Sequence, residues 1–394
     1  MARSLSARQL AHIVAAAAFV MVAGGLLVAT VLREPLAARS PASRTKITLA
    51  LAISQAPPLG ELNAAARKVA TADPLQAAAF VMSGIDRMQR DPADYDAVRP
   101  LMQAAVRRQP TFEAALVWLA ADHARRGEND AALDLFDQVL TASSDHRDSL
   151  LPVLTQLMQR DKSRTEVVRR LSTYPPWRSG LLARAIEVQA LPEPVLEALL
   201  AKPAPPAYQA KLQEERQSYV KWLVAQDRLA DAHGLYRRYT GVTPLAPVYD
   251  PTFRAAHPFS PFGWTLADRA EDYAERIPGS TGTGVMRLHA SGKLQAVLLE
   301  QTLALSPGNW SIRLNGSDGG LAKPDGMILA LRCVGQSGMI AHARLGTLTP
   351  EPQTIVLRAS VPPACPFQRL TVESGPSAAG ASEIEVLAFT VKPA

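Results

Sequence analysis

Three hydrophobic patterns succeed one another along this 394-residue chain. Residues 13–32 form an apolar run of twenty positions without a charged side chain. Residues 61–242 carry apolar side chains at helical spacing, and residues 281–394 carry short alternating runs separated by turn sequences. These changes of period predict a multidomain chain of α plus all-β class, in which a helical domain precedes an antiparallel β-sandwich.

The first run is long enough to cross a bilayer. Twenty helical residues at 1.5 Å each span about 30 Å, the thickness of the hydrocarbon core. We therefore expect residues 1–12 to be a short cytoplasmic tail, 13–32 a transmembrane helix and 33–60 a linker. This predicts a single-pass protein of the bacterial inner membrane with its C-terminal body in the periplasm. The alternative, a cleaved signal peptide, has a shorter apolar core of about 7–15 residues.

The helical region has a period. Pro74 and Pro110 are 36 residues apart, and Ser144 lies 34 residues beyond Pro110. A period of this length is typical of stacked helix–turn–helix repeats, which form α-solenoids. An irregular helical bundle over 61–242 is the alternative interpretation.

The repeats resemble the tetratricopeptide repeat (TPR). That resemblance is carried by large and small packing positions in three copies: Phe80 and Gly84; Leu116, Leu119, Ala120, Ala132 and Phe136; and Trp222, Ala232 and Tyr236. The resemblance implies a concave surface that holds a protein partner.

Eight short runs in residues 281–394 predict eight strands, most simply a jelly roll. They lie at residues 285–290, 294–305, 310–316, 326–335, 339–346, 353–360, 367–374 and 384–391. By architecture the region resembles the carbohydrate-binding and galactose-binding-like sandwiches attached to many exported bacterial proteins. That resemblance implies a glycan as a possible ligand, although no residue motif of a sugar site can be matched.

The connector at residues 243–280 is rich in proline and aromatic residues. Phe259, Phe262 and Trp264 have two interpretations: an apolar strip on which a sugar ring stacks, or a first strand or strap that fixes the sandwich to the helices. The same choice applies to Trp310, which follows the turn SPGN. The segments PFGW and LSPGNW, with the paired cysteines, resemble proteobacterial repeat proteins of the cell envelope or of exopolysaccharide loci.

Both cysteines lie in the predicted β domain. In an oxidising compartment we expect a structural disulfide between Cys333 and Cys365. Two buried thiols in a cytoplasmic protein are the alternative.

The charge distribution argues against a nucleic-acid partner. The net charge is +6, but residues 1–46 carry six Lys and Arg side chains against the single acid Glu34, which leaves +1 for the remainder. A nearly neutral body does not attract a polyanion over long range.

The 47% hydrophobic content excludes general disorder, and two cysteines exclude a disulfide-dense scaffold and a cysteine-built zinc site.

No catalytic signature is present in the sequence. It has no GxxxxGK[ST], GxSxG or HExxH, and its seven histidines show no ligand spacing on one helix. Acid pairs such as Glu214–Glu215 and Glu271–Asp272 are interpreted as solvated. We therefore expect no metal, no cofactor and no enzymatic activity.

The leading hypothesis is a membrane-anchored scaffold in surface polysaccharide assembly or export. The alternatives are a lectin-like protein that binds carbohydrate through its sandwich and, third, an envelope hydrolase.

Overall fold

The computed structural model describes most of the chain from residue 61 onward. The described ranges are 61–72, 76–91, 93–142, 147–241, 247–254, 259–278, 284–320, 326–346, 348–377 and 380–394. The predicted tail, transmembrane helix and linker lie outside these ranges. Within them, no helix has both the length and the apolar character that a membrane span needs. The described residues fall into two compact units, one up to Glu215 and one from Arg216.

The first part of the described chain is helical, as predicted. The helices are α1 (Glu61–Ala72), α2 (Ala77–Arg90), α3 (Tyr95–Arg108), α4 (Glu113–Arg126), α5 (Asn129–Ala142), α6 (Arg147–Met158), α7 (Asp161–Leu171), α8 (Arg178–Glu187), α9 (Glu193–Ala201), α10 (Gln209–Ala225) and α11 (Leu229–Thr240). From α1 to α7 each helix packs on the next. Helices α2, α4 and α6 begin at Ala77, Glu113 and Arg147, which are 36 and 34 residues apart.

Local sequence explains the ends of several helices. The Asp94 carboxylate accepts a hydrogen bond from the Ala97 amide and so caps the free N–H groups at the start of α3. Gly127 ends α4 at φ +79°, a left-handed conformation that glycine adopts without a Cβ clash.

Most of the predicted repeat packing positions are buried. In the helical unit these are Gly84, Leu116, Leu119, Ala120, Ala132 and Phe136, and in the second unit Ala232 and Tyr236. Phe80 and Trp222 are half-buried. A Cβ on Gly84 would lie 2.6 Å from Cε of Met102, so the small residue permits close approach of α2 and α3.

Two five-stranded antiparallel sheets form the C-terminal sandwich. The strands are β1 (Thr265–Leu266), β2 (Tyr273–Pro278), β3 (Gly284–Ala290), β4 (Ala296–Leu303), β5 (Gly308–Asp318), β6 (Met327–Cys333), β7 (Met339–Arg344), β8 (Gln353–Val361), β9 (Gln368–Ser374) and β10 (Ser382–Pro393). One sheet has the order β1-β4-β9-β6-β7 and the other β2-β3-β10-β5-β8. From β3 onward this is the interleaved strand order of a jelly roll. All eight predicted strands are present, and β1 and β2 come from the predicted connector.

The sandwich core lies between the two sheets. Alternate residues of each strand point into it, for example Leu329 and Leu331 of β6, which pair with Val372 and Leu370 of β9. The segment before β1 closes one end, since Phe253 is fully buried and its carbonyl oxygen would lie 2.1 Å from a Cβ on Gly284. Glycine at the start of β3 therefore permits this close approach.

Candidate functional site

The outer side of the sheet β2-β3-β10-β5-β8 carries a cluster of polar and charged side chains. On β5, Ile312 and Leu314 point into the core. Because side chains alternate along a strand, Ser311 and Arg313 point outward. Arg313 is exposed and Ser311 is half-buried.

The strand register aligns these two residues with further polar groups. Ser311 pairs with Lys392 of β10 on one side and with Arg358 of β8 on the other. Arg313 pairs with Thr390 of β10. We call the outward residues Ser311, Arg313, Arg358, Ser360, Thr390 and Lys392 the cationic face.

An open pocket of about 700 Å³ lies on the cationic face. Its lining residues come from β5, β8 and β10 and from the chain end: Asn309, Trp310, Ser311, Arg313, Arg358, Ala359, Ser360, Thr390, Lys392, Pro393 and Ala394. Hydroxyl, amide and guanidinium groups thus converge on one concave surface. Such a surface can bind a ligand rich in hydrogen-bonding groups.

Trp310 is one of the residues that line this pocket. Its ring is half-buried and packs partly on the sandwich core. Its Nε1 donates a hydrogen bond of 2.8 Å to the carbonyl oxygen of Ser306, which satisfies the indole N–H. Trp310 alternates with the outward-facing Ser311 on β5, so its indole lies on the core side of the strand, where this hydrogen bond fixes it. Trp310 is the predicted binding residue that the structure places on an open surface.

Among the described residues, the three cations of the face form no ion pair with an acid. Within the described part of the chain, no ion pair of 4.0 Å or less joins Arg313, Arg358 or Lys392 to a carboxylate. Elsewhere in the sandwich, two arginines on the sheet faces are paired. Arg287 lies 3.0 Å from Glu385, and Nη2 of Arg332 lies 2.8 Å from Glu373.

Phe259 and Phe262 belong to a buried aromatic cluster with α11. Phe259 is 4% exposed and Phe262 2% exposed. Their ring centroids lie 5.9 and 5.1 Å from that of Tyr236, and His233 lies 5.1 Å from Phe262. Burial raises the pKa of Tyr236 and lowers the pKa of His233, the latter with a second contribution from Arg237. These two rings contact protein and fix the connector to the last helix.

Trp264 occupies the interior of the sandwich. Its ring centroid lies 4.7 Å from that of Phe389 and 5.6 Å from that of Phe253. Its Nε1 donates to the carbonyl oxygen of Asp250 at 3.1 Å. Trp264 is only 2% exposed, so its ring does not form a surface for a sugar.

The predicted disulfide is confirmed. Cys333, the last residue of β6, is bonded to Cys365, which precedes β9. The β6–β9 ladder ends at the pair Cys333 and Gln368, and the disulfide closes this end of the sheet.

Two buried acids differ from their sequence interpretation as solvated groups. Glu215 is 4% exposed and forms an ion pair with the fully buried Arg178. Asp272 is also 4% exposed and accepts hydrogen bonds from the backbone and hydroxyl of Ser291. The polar sequence around each acid suggests an exposed side chain. Each acid is nevertheless buried, because the fold brings it against a partner that lies far away in sequence.

The Arg178–Glu215 pair belongs to a larger polar network. Glu215 also accepts hydrogen bonds of 2.9 Å from the hydroxyls of Ser179 and Tyr208. Burial, with a smaller contribution from the Glu215 charge, raises the pKa of Tyr208 to about 12. The network satisfies its own hydrogen bonds and has no open access, so it is structural. Within the described ranges, no group of three or more His, Cys, Asp or Glu side chains is placed to hold a metal ion.

Comparison with known proteins gave structural matches only. No family model and no curated protein matches the chain. A solved CBM4 structure matches 37% of this chain and 99% of its own, with 16% identity and a TM-score of 0.29. TmCBM61, solved with β-1,4-galactotriose, matches 38% of this chain and 99% of its own length at 15% identity and a TM-score of 0.27. A cyclase from Fischerella sp. matches 38% of this chain and 98% of its own at 16% identity and a TM-score of 0.27.

Proposed function

We propose that the C-terminal sandwich binds carbohydrate at the cationic face. The observation that carries this proposal is the convergence of hydroxyls and charged donors on one open pocket of about 700 Å³, which Trp310 also lines. This corresponds to the alternative hypothesis drawn from the sequence, with Trp310 as its aromatic residue. Phe259, Phe262 and Trp264 have no part in it, since they are buried.

The chemistry of the face suits a sugar. A pyranose has apolar ring faces, which pack on an indole, and a rim of hydroxyls, which need donors and acceptors. Ser311, Ser360 and Thr390 offer the donors and acceptors, and we propose Trp310, which lines the pocket, as the ring on which the sugar packs. Because the pocket is open rather than enclosed, a polymer can lie across it.

Affinity electrophoresis of the 394-residue chain through gels that contain neutral or acidic polysaccharides tests this proposal. We expect retardation in at least one gel, and we expect Trp310→Ala to remove it. Trp222→Ala is the matched control, because Trp222 is also half-buried but lies on α10. Unchanged retardation of Trp310→Ala, or no retardation of the folded chain in any gel, would contradict the proposal.

For the helical part we propose a TPR-like solenoid that docks a protein. The supporting observation is the 36- and 34-residue spacing between the starts of α2, α4 and α6, together with the close contact at Gly84. Crosslinking in native membranes tests it. One specific partner should be lost when surface residues of α2, α4 and α6 are replaced and retained in Trp310→Ala. Retention of that partner by both variants would contradict docking on the solenoid.

We further propose that residues 13–32 anchor a non-catalytic protein in the inner membrane, with its body in the periplasm. The disulfide Cys333–Cys365 supports export, because structural disulfides persist in oxidising compartments. A C-terminal alkaline phosphatase fusion should be active and a C-terminal fusion to a cytoplasmic reporter inactive. The reverse result would contradict the orientation.

A further inference from the structure

We infer that the ligand of the cationic face is an acidic polysaccharide, one whose sugar units carry carboxylates or other anionic groups. This inference rests on the proposed carbohydrate binding and adds the charge of the ligand to it. The observation is an arrangement of three cations, Arg313, Arg358 and Lys392, on three neighbouring strands of one sheet.

The geometry follows from the register. Lys392 and Arg358 flank Ser311 on the two adjacent strands, so their backbones are two strand spacings apart, about 10 Å. Arg313 lies two residues farther along β5, about 7 Å from Ser311. The three cations thus surround the outward-facing hydroxyls of Ser311 and Thr390. A sugar placed over these hydroxyls can present an anionic group to any of the three.

In the described ranges, no carboxylate forms an ion pair with any of the three cations. On the other half of the same sheet the cation is paired, because Arg287 forms ion pairs with Glu275, Glu383 and Glu385. Three like charges on adjacent strands repel one another when the face is empty. An anionic ligand removes that repulsion and gains charge-assisted hydrogen bonds, whereas a neutral ligand leaves the repulsion in place.

The same surface favours an acidic sugar polymer over a nucleic acid. Binding to single strands relies on several aromatic platforms and on a long basic groove that follows the phosphates. Here one tryptophan, Trp310, lies beside three cations that alternate with hydroxyls. Hydroxyls between cations match a polymer whose charges are separated by hydroxyl-bearing rings.

Matched polymers provide the test. The probes are polygalacturonate and alginate, each compared with its carboxyl-reduced counterpart, which keeps the sugar skeleton and loses the charge. Binding of the full 394-residue chain is measured by isothermal titration at 50 and 200 mM salt. We expect binding to at least one acidic polymer, at least tenfold weaker binding to its reduced form, and weaker binding at the higher salt.

Charge-removing variants locate the effect. Arg313→Gln, Arg358→Gln and Lys392→Gln should each weaken binding about threefold, and the triple variant about 30-fold, as expected for exposed ion pairs. The matched control is Arg344→Gln, which removes one exposed cation from β7 in the other sheet. Its affinity should be unchanged, and circular dichroism should show that all variants are folded.

The outcomes separate the two proposals. Equal binding of the acidic and carboxyl-reduced polymers, or unchanged affinity of the triple variant, would overturn the acidic ligand but leave carbohydrate binding in place. Equal or tighter binding to a DNA oligonucleotide or to anionic phospholipid vesicles would also overturn it. Absence of binding to every polymer, neutral and acidic, would overturn the proposed function itself.

Discussion

The guanidinium of Arg178 and the carboxylate of Glu215 form an ion pair that is closed to solvent, with Nη2 and Oε2 3.0 Å apart. Arg178 also donates to the carbonyl oxygens of Leu171 and Leu199 and stacks 4.3 Å from the ring centre of Tyr174. One side chain therefore joins the ends of α7 and α9 to α10. Removal of either charge leaves the other one buried without a partner.

We expect Arg178→Met to destabilise the helical unit by about 3–5 kcal/mol, the cost of an uncompensated buried charge. The double variant Arg178→Met with Glu215→Leu should recover part of that loss, because no buried charge remains. Urea unfolding followed by circular dichroism measures both. Glu271→Gln is the control, because Glu271 and Lys293 form an exposed pair and its loss should change little. If Arg178→Met lowered the free energy of unfolding as little as the control does, the structural role assigned to the Arg178–Glu215 pair would be contradicted.

The sequence patterns predicted the fold where burial follows a simple period. All eight strands from β3 to β10 were predicted, since each carries apolar side chains that lie in the core or pack against it. Strand β2 was included in the connector because it is an edge strand whose only buried side chain is Ala274. Its sequence YAERIP has no alternating pattern to detect. Glu215 was interpreted as solvated because its partner Arg178 lies 37 residues away and only the packing of helices brings them together.

The candidate site was predictable only in part. Trp310 was identified from its sequence, but Arg313, Arg358 and Lys392 were not. Each of the three alternates with buried apolar residues on its strand, so its exposure could have been inferred. Their proximity could not be inferred, because it depends on the strand order β10-β5-β8. Between Arg313 on β5 and Lys392 on β10 the chain passes to the other sheet and back twice.

The disulfide should contribute substantially to the stability of the sandwich. It joins residues 32 positions apart, and cross-linking a loop of that length lowers the entropy of the unfolded chain by the equivalent of about 3–4 kcal/mol. Reduction, or the double variant Cys333→Ala with Cys365→Ala, should lower the free energy of unfolding by about this amount. Urea unfolding with and without dithiothreitol measures it. The double variant should not respond to the reductant, and two free thiols in the native protein would contradict the bond.

Asp122 should make the helical unit sensitive to acid. Burial acts to raise the pKa of this carboxyl, but hydrogen bonds from Arg125 and Arg99 and the charges of Arg99 and Arg126 outweigh it, so the pKa lies below its usual value of 3.8. The folded state therefore holds the ionised form more strongly than the unfolded state does. The resulting stability is present above about pH 4 and is lost as the pH falls through the folded-state pKa.

We accordingly expect Asp122→Asn to be less stable than the wild type at pH 7, with a difference that shrinks below pH 4. Urea midpoints from pH 7 to pH 2.5 measure this convergence. Asp91→Asn serves as the control, because Asp91 is exposed at the end of α2 and should not reproduce the trend. A constant difference between Asp122→Asn and the wild type over the whole range would contradict the electrostatic assignment.

Trp264 and Trp310 should differ in how much stability is lost on replacement by alanine. Trp264→Ala removes a buried ring that packs on Phe253 and Phe389, and we expect a loss of about 3–5 kcal/mol. Trp310→Ala removes a half-buried ring at the pocket and should cost much less stability. Unfolding followed by near-ultraviolet circular dichroism compares the two. Equal losses would indicate that Trp310 also acts mainly as a core residue.

His233 should add a pH dependence near neutrality. Its imidazole lies among the rings of Phe262, Phe367 and Tyr236, with centroid distances of 5.1, 5.7 and 6.1 Å. Burial first, and the charge of Arg237 second, lower its pKa below the usual value of 6.5. As the pH falls below about 6.5, the unfolded state takes up a proton that the folded state does not bind, so the free energy of unfolding decreases until the folded-state pKa is reached. His233→Phe should therefore flatten the change in urea midpoint between pH 7.5 and pH 5, whereas His342→Gln, at an exposed position on β7, should retain it. If the wild type and His233→Phe lose stability in parallel over this range, His233 is not the group responsible.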